Sequence, residues 1–524
     1  MNREKNIDSI LALEKRIEGH KGDGNTIIQL KRTRNSLLNV STVPPEILGN
    51  VFRWNVIPCT EFLGLSKGSF NFLLVCHHWF EVASGTPELW SFWGNSTKDW
   101  THRHTHCRTG PVDLVMDGGD HDLGDQLRDA LRDRAARDTI RQVHLFQTSG
   151  TQPTLNSIIS SIVVEGEEPR TSSVKSFIVE TTYGPTVDVT PFFSRYHFLK
   201  LRYLRLIGCS ISSWDLLKSR ITTLTTLKLG RGLSPPPPPS QLLLILSSNP
   251  LLQDLSLSPG PDPHAINDDR SSPPVPLRHL KDLHLRSDFF TATFWLLNRL
   301  ELPDQMDTLD MFLFKCSPSD ITQTLGPYFG DRVRRGSRFP GGGLELSVTY
   351  GGSGFNLSIE STYPVDDFVE VDWYARASVD TWGNTGTTQT AGEALEMVFD
   401  FVSRLPLEEV TDLKTNIPIL CSEELCVGMC NLTNLYLTEV DLSGRFADPD
   451  IDGPQTFREL LPSLDCLKID VPTLGRGYWN PLINFLTRRA AIGNRISSLV
   501  FILCPRMCPE DIQSVERVVD FFIR

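Results

Sequence analysis

The sequence predicts a mixed α/β chain, with a small all-α segment of about three helices followed by an α/β repeat solenoid. Three observations lead there. Short amphipathic helical patterns crowd residues 41–93, β-like runs recur from about residue 100 onward, and the interval between those runs is regular. A chain of 524 residues would hold about three ordinary domains at roughly 150 residues each. A repeat array breaks that arithmetic, because each unit stacks on its neighbour and the core grows along one axis.

Composition excludes several function classes. Fifty-one Lys+Arg against 63 Asp+Glu leave a net charge of −12. Such a chain lacks the overall basic surplus that phosphate backbones or anionic membranes select, so no nucleic-acid or membrane partner is expected. No apolar run approaches the roughly 18 residues of a membrane-spanning helix. Met1–Ser9 is charged and has no apolar signal core, which predicts an intracellular protein, cytoplasmic or nuclear. The cysteines number 11, an odd count that fits reduced thiols. The four Asn-x-Ser/Thr matches at Asn39, Asn95, Asn356 and Asn431 then read as chance.

Residues 1–40 read as a helical hairpin packed on the neighbouring segment. Ile10, Leu13 and Ile17 keep a helical period until Gly19, Gly22 and Gly24 interrupt it. Ile27, Leu30, Arg34, Leu37 and Leu38 resume it, with Lys31, Arg32 and Arg34 on the flank. The segment has too few heptads for a coiled coil.

Residues 41–93 carry three short helical patterns. Pro44 and Pro45 suit a helix's first turn, Glu46 complements the positive end of its dipole, and Ile47, Leu48, Val51 and Phe52 form an apolar stripe. Leu74 and Val75 lead into Cys76, Trp79, Phe80 and Ala83, spaced i, i+3, i+4, i+7. Thr86-Pro87-Glu88 is a further helix start, followed by Leu89 and Trp90. Fifty residues cannot hide so many large apolar groups among themselves, so a partner is expected.

These blocks resemble the F-box. Its leucine-proline-x-glutamate-leucine-leucine opening is matched by Val43-Pro44-Pro45-Glu46-Ile47-Leu48, its valine-cysteine-x-x-tryptophan centre by Val75-Cys76-His77-His78-Trp79, and its close by Leu89-Trp90. The match covers about fifty residues. Val43 replaces the usual leucine, and Arg53–Asn71 is longer than the usual interval by roughly ten residues, as a loop insertion with Pro58, Gly64 and Gly68 would be. The resemblance implies docking on a Skp-type adaptor, and through it on cullin and RING subunits. The docking residues it implies are Pro44, Pro45, Glu46, Ile47, Leu48, Val51, Phe52, Leu74, Val75, Cys76, Trp79, Leu89 and Trp90.

From residue 100 to 524 the pattern is that of divergent leucine-rich repeats. Leu201, Leu204, Leu206, Cys209 and Ile211 fill the repeat template in full, and Leu432, Leu435, Leu437, Val440 and Leu442 fill it with valine in the Asn/Cys slot. Shorter matches centre on Val143, Phe177, Leu227, Leu255, Leu283, Leu309, Leu413, Leu467 and Leu499. Roughly 15 chance matches to a three-position template are expected in a chain of this composition, so the interval carries the argument. Leu204, Leu227, Leu255, Leu283 and Leu309 are separated by 23, 28, 28 and 26 residues, and Leu435, Leu467 and Leu499 by 32. Between Leu309 and Leu413 the repeat lapses. Leu344, Leu346 and Val348, then Phe355, Leu357 and Ile359, alternate with period two about a Gly-rich turn, which predicts a hairpin excursion near 340–390. The five prolines within Ser234–Ser240 and the Pro-rich stretch Pro259–Pro276 read as exposed loops.

No catalytic, metal or cofactor site is expected. Gly64-Leu65-Ser66-Lys67-Gly68 matches a nucleophile-elbow pattern but lacks the preceding strand and following helix. His102, His104, His106 and Cys107 have no second ligand pair, and neither do Cys421, Cys426 and Cys430, which read as small core residues. Asp117, Asp120, Asp122 and Asp125 miss the calcium-loop spacing. The expectation is a non-enzymatic substrate receptor of a cullin–RING ubiquitin ligase, with an unknown target protein bound by the repeats. The alternative is a repeat scaffold without ubiquitin transfer. Outward positions between the repeat's apolar residues, namely Arg202, Tyr203, Arg205, Lys228, His284, Asn434, Tyr436 and Lys468, are the expected target surface, basic and aromatic enough to suit an acidic or phosphorylated segment.

Overall fold

The computed structural model describes residues 2–19, 24–37, 43–56, 73, 75–94, 110–117, 131, 134–147, 154–163, 170–182, 186–258, 273–287, 290–303, 306–314, 323–324, 326–328, 330–331, 343–351, 354–365, 368–380, 398–416, 423–438, 461–470, 479–502 and 509–523. Helices alternate with mostly parallel strands, so the chain is mixed α/β. It divides into two compact units, Met1–Pro236 and Pro237–Arg524, with the boundary inside the proline run. That run is not an exposed loop throughout. Pro237 and Pro239 are buried, Pro239 opens a helix, and the carbonyl of Pro235 accepts a hydrogen bond from Trp214 Nε1 at 3.1 Å.

The first unit opens with α1 (Asn2–Gly19) and α2 (Gly24–Ser36), which pack together as a hairpin. Next come α3 (Pro45–Val56), α4 (His77–Ser84) and a 3₁₀ turn, Pro87–Trp90. Leu48, Phe52, Ala83, Leu89 and Trp90 form the interior of this helical segment. Phe52 and Trp79 meet with ring centroids 5.1 Å apart, and Trp90 Nε1 donates to the carbonyl of Ala83 at 2.8 Å.

Six strands of the main sheet follow among the described residues, β1 (Phe92–Gly94), β2 (Val112–Asp117), β3 (Ile140–Gln147), β4 (Ser176–Thr181), β5 (Tyr203–Ile207) and β6 (Thr226–Leu229). Each pairs in parallel with the next. The register places Trp93, Leu114, Val143, Phe177, Leu204 and Leu227 in one row, all buried. A second buried row lies two residues on, through Met116, Leu145, Val179, Leu206 and Leu229. Period-two alternation puts both rows on one sheet face, where aliphatic side chains stack on their counterparts. The return segments include α5 (Arg134–Asp138), α6 (Thr154–Ile162), α7 (Thr190–Arg195) and α8 (Asp215–Arg220). Phe192 and Phe193 of α7 close over Phe177, with Phe177 and Phe192 stacked at 4.3 Å and Phe198 at 5.1 Å from Phe192.

The chain also steps between strands in a repeated way. Lys175 N–H bonds the carbonyl of Arg141, Arg202 N–H that of Lys175, and Thr225 N–H that of Arg202, at 2.7 to 2.8 Å. Past β5, Gly208 takes φ +66° and Cys209 turns inward, its Sγ 3.7 Å from the carbonyl oxygen of Val179 and 3.4 Å from that of Ile207.

The second unit repeats the scheme. Strands β7 (Asp254–Leu257), β8 (Asp282–Ser287) and β9 (Thr308–Phe314) are parallel neighbours, with α9 (Pro239–Ser247) and α10 (Phe290–Leu297) among the return segments. Leu255, Leu283 and Leu309 share a row. Where a two-stranded excursion was expected there are three strands within the sheet, β10 (Gly343–Gly351), β11 (Gly354–Val365) and β12 (Phe368–Asp380). They pair antiparallel among themselves, β12 lies parallel beside β9, and β10 lies parallel beside β13 (Val410–Thr415). The signal for the third strand is present in the sequence, since Val369, Val371, Trp373, Ala375, Ala377 and Val379 fall at every second position, but the expected hairpin has only two strands.

From β13 the parallel order resumes through β14 (Asn434–Thr438), β15 (Cys466–Asp470), β16 (Ser498–Ile502) and β17 (Phe521–Ile523). Leu413, Leu435, Leu467 and Leu499 fall in one row. Between these strands lie α11 (Glu423–Gly428), α12 (Trp479–Ala491) and α13 (Pro509–Val518). Arg489 of α12 is buried, and its guanidinium bonds the carbonyls of Leu461 at 2.8 Å, Leu464 at 3.1 Å and Asn494 at 3.1 Å. No helix among the described residues is long and apolar enough to cross a membrane.

Candidate functional site

Two surfaces contain the residues that the sequence singles out. On the helical segment the structure divides the thirteen. Leu48 is 2% exposed, and Phe52, Leu89 and Trp90 are buried with it, so these four hold the helices together and are not free to dock. Trp79 and Cys76 are half-buried. Pro44, Pro45, Glu46, Ile47, Val51 and Val75 are exposed, while Leu74 lies outside the described residues. The helical period explains the split: Leu48 and Phe52 share one face of α3, and Ile47 and Val51 share the adjoining one. Trp54 extends that outer stripe by one turn and is 79% exposed. Phe80 on α4 is also exposed. Trp54 is missing from the expected docking set because apolar periodicity alone does not say which stripe faces inward.

On the sheet, seven of the expected target residues alternate with the buried rows, and Arg202 immediately precedes β5. Arg202, Tyr203, Arg205 and Lys228 belong to the first unit, and His284, Asn434, Tyr436 and Lys468 to the second. Lys228 sits beside Arg205 across β5 and β6, and Lys468 beside Tyr436 across β14 and β15. His284 is on β8, apart from the other three.

The sequence suggests a basic group, but in neither unit is it uniformly so. Arg205 Nη2 pairs with Glu180 at 2.8 Å, and His284 Nδ1 lies 3.5 Å from Asp310. Asn434 donates to Asp412 at 2.7 Å, and Tyr436 Oη donates to Asp470 at 3.2 Å. The Tyr436 hydroxyl is shifted above its ordinary pKa, first by burial and then by Asp470. Each acid belongs to a neighbouring strand, so parallel pairing supplies the counter-charge. Lys414 Nζ stands 5.1 Å from the Tyr436 ring centroid, a cation–π contact. Of the eight, exposed Arg202 and Lys468 are the basic groups left without an ion-pair partner among the described residues.

The chain matches no protein-family model, and no curated protein matches it significantly.

The sheet face also holds polar pairs that were not foreseen. Arg141 and Asp113 form a two-point ion pair between β3 and β2, and the hydrogen bonds to Asp113 raise the guanidinium's pKa. His144 Nε2 is 2.9 Å from Ser176 Oγ. A serine beside an imidazole invites comparison with a nucleophile and its base. Burial lowers the pKa of His144 to about 4, and no carboxylate among the described residues orients its other nitrogen. The pair therefore satisfies a buried ring and has no base strength suited to neutral pH. No group of His, Cys, Asp and Glu among the described residues could hold a metal ion. Cys426 is buried as expected of a core thiol, but Cys430 is exposed, and Cys421 lies outside the described residues. Also outside them are His102, His104, His106, Cys107, Asp120, Asp122, Asp125, Val440, Leu442 and the Gly64–Gly68 motif.

Proposed function

We propose that the chain is the substrate-recognition subunit of a cullin–RING ubiquitin ligase, with residues 41–93 docking as an F-box on a Skp-type adaptor and a leucine-rich-repeat-like solenoid binding the target. One observation carries the reading. The three F-box-like blocks occur in order on three short helical pieces, and the first piece, α3, buries Leu48 and Phe52 while presenting Ile47, Val51 and Trp54 to solvent. A helix with one face in its own core and a second apolar stripe outside is suited to burial by a partner. The leucine rows support the solenoid half of the proposal, since stacked strands with a shared register are what such repeats require. Catalysis belongs to the recruited subunits, and this chain raises the target's effective concentration beside them.

The charge-paired sheet face revises the expected target chemistry. Alternating acids and bases on adjacent strands favour a target segment with charges of both signs over a uniformly acidic one. Affinity purification of the full chain, probed for adaptor and cullin, is the decisive experiment. Co-purification of both is expected. A correctly folded chain that retains neither would leave the repeat scaffold without ubiquitin transfer as the better reading.

A further inference from the structure

The α1–α2 hairpin has an open side. None of residues 8–19 or 25–35 is buried, although the two helices pack on one another. Ile10, Leu13 and Ile17 form the facing stripe of α1, and Ile27, Leu30 and Arg34 that of α2, with Arg34 reaching Glu14 at 3.8 Å. At 100° per residue, both helices carry a second stripe on the same rotational side. On α1 it comprises Glu14, Glu18 and Leu11 with Lys15 just beyond, and on α2 Lys31 and Ile28 with Arg32 just beyond. Four residues separate the helices, so α2 runs back along α1, and in an antiparallel pair equivalent flanks open on one side. Leu11 and Ile28 are about half exposed there, and Glu18, Lys31 and Arg32 have no ion-pair partner among the described residues.

We infer that this side binds a second copy of the chain, closing two hairpins into a four-helix bundle. The distribution of charge selects that occupant. The α1 flank carries Glu14, which also reaches Arg34 of its own hairpin, and Glu18, with Lys15 at the outer edge, whereas the α2 flank is basic. A two-fold axis along the bundle lays the α1 flank of each copy over the α2 flank of the other. Glu14 and Glu18 of each copy then face Lys31 of the other, while Leu11 and Ile28 pack between them and Lys15 and Arg32 stand at the outer edge. Self-complementarity of this kind is what an isologous interface requires. A helix pair of this length with its apolar residues only half covered is also marginal alone, and association supplies the missing burial.

The test is sedimentation equilibrium of the full chain at micromolar concentration. The wild type should be a dimer that weakens as salt rises. The double variants E14K/E18K and K31E/R32E should each raise the dissociation constant at least about tenfold, because like charges then face one another. Mixing the two variants in equal amounts should restore the dimer, since the basic hairpin of one meets the acidic hairpin of the other. Restoration also shows that neither variant had merely unfolded. A monomeric wild type, a dimer indifferent to both variants, or a mixture that stays monomeric would each overturn the inference.

Discussion

Gly208 shows how little freedom a single position in this fold can have. Its φ of +66° disfavours any residue with a Cβ, and an added methyl would lie 1.9 Å from Thr181 Oγ1 and 2.4 Å from the Thr181 carbonyl oxygen. Gly208→Ala should therefore cost about 3 kcal/mol or more, read as a shift in urea midpoint without loss of secondary structure in the native baseline. The neighbouring thiol is equally constrained. Burial raises the pKa of Cys209 to about 12, so alkylation followed by peptide mass mapping should label exposed Cys430 rapidly and Cys209 only on unfolding. His144 gives a pH dependence whose sign is fixed. Its folded pKa of about 4 lies below the unfolded value near 6.5, so the unfolded chain binds more protons between them. Stability from this group is complete above about pH 6.5 and declines toward pH 4, by about 3 kcal/mol in all. Denaturant midpoints of the wild type and His144→Gln should converge as pH falls through that window; an unchanged gap would refute the assignment.

At the scale of the element, α3 separates two kinds of apolar residue that look alike in sequence. Ile47→Asp with Val51→Asp should abolish adaptor capture and leave thermal stability within about 0.5 kcal/mol, as exposed substitutions usually do. Leu48→Ala should instead lower stability by about 2–5 kcal/mol through a core cavity, and so reports on folding and cannot test docking. Loss of adaptor capture only in the Leu48 variant would mean that the outer stripe is not the contact. The existence of these helices was legible because proline starts and apolar spacing are local signals. Which stripe faced inward was not, since that depends on Leu89 and Trp90, some forty residues away. The outward charges on the strands behave in the same way. Arg205 reads as a free base within its own repeat, and only pairing with β4 shows it beside Glu180.

At the scale of the whole molecule, the spacing of apolar triplets was sufficient to find most strands, because their central residues fall in one register row from strand to strand. Strands β1 and β2 escaped, their row members Trp93 and Leu114 standing before the first recognised repeat. The two compact units, each with its own buried rows, should not unfold as one. Arg489→Met removes three buried hydrogen bonds to carbonyls in the second unit, a loss of about 3 kcal/mol. Hydrogen exchange resolved by peptide should show that loss in β14–β16 while protection of β3–β5 is unchanged.

The antiparallel trio β10–β12 has a consequence for shortening the chain. Leu309 aligns with Ala375 on one side of the trio and Leu346 with Leu413 on the other, so the leucine row crosses the insert without a step. Helical residues 398–403, with buried Val398, Phe401 and Val402, then lead into β13 as a return segment would. The trio thus stands between two parallel strands of one row, and a chain shortened from just after β9 to just before that helix is expected to bring β9 and β13 together in register.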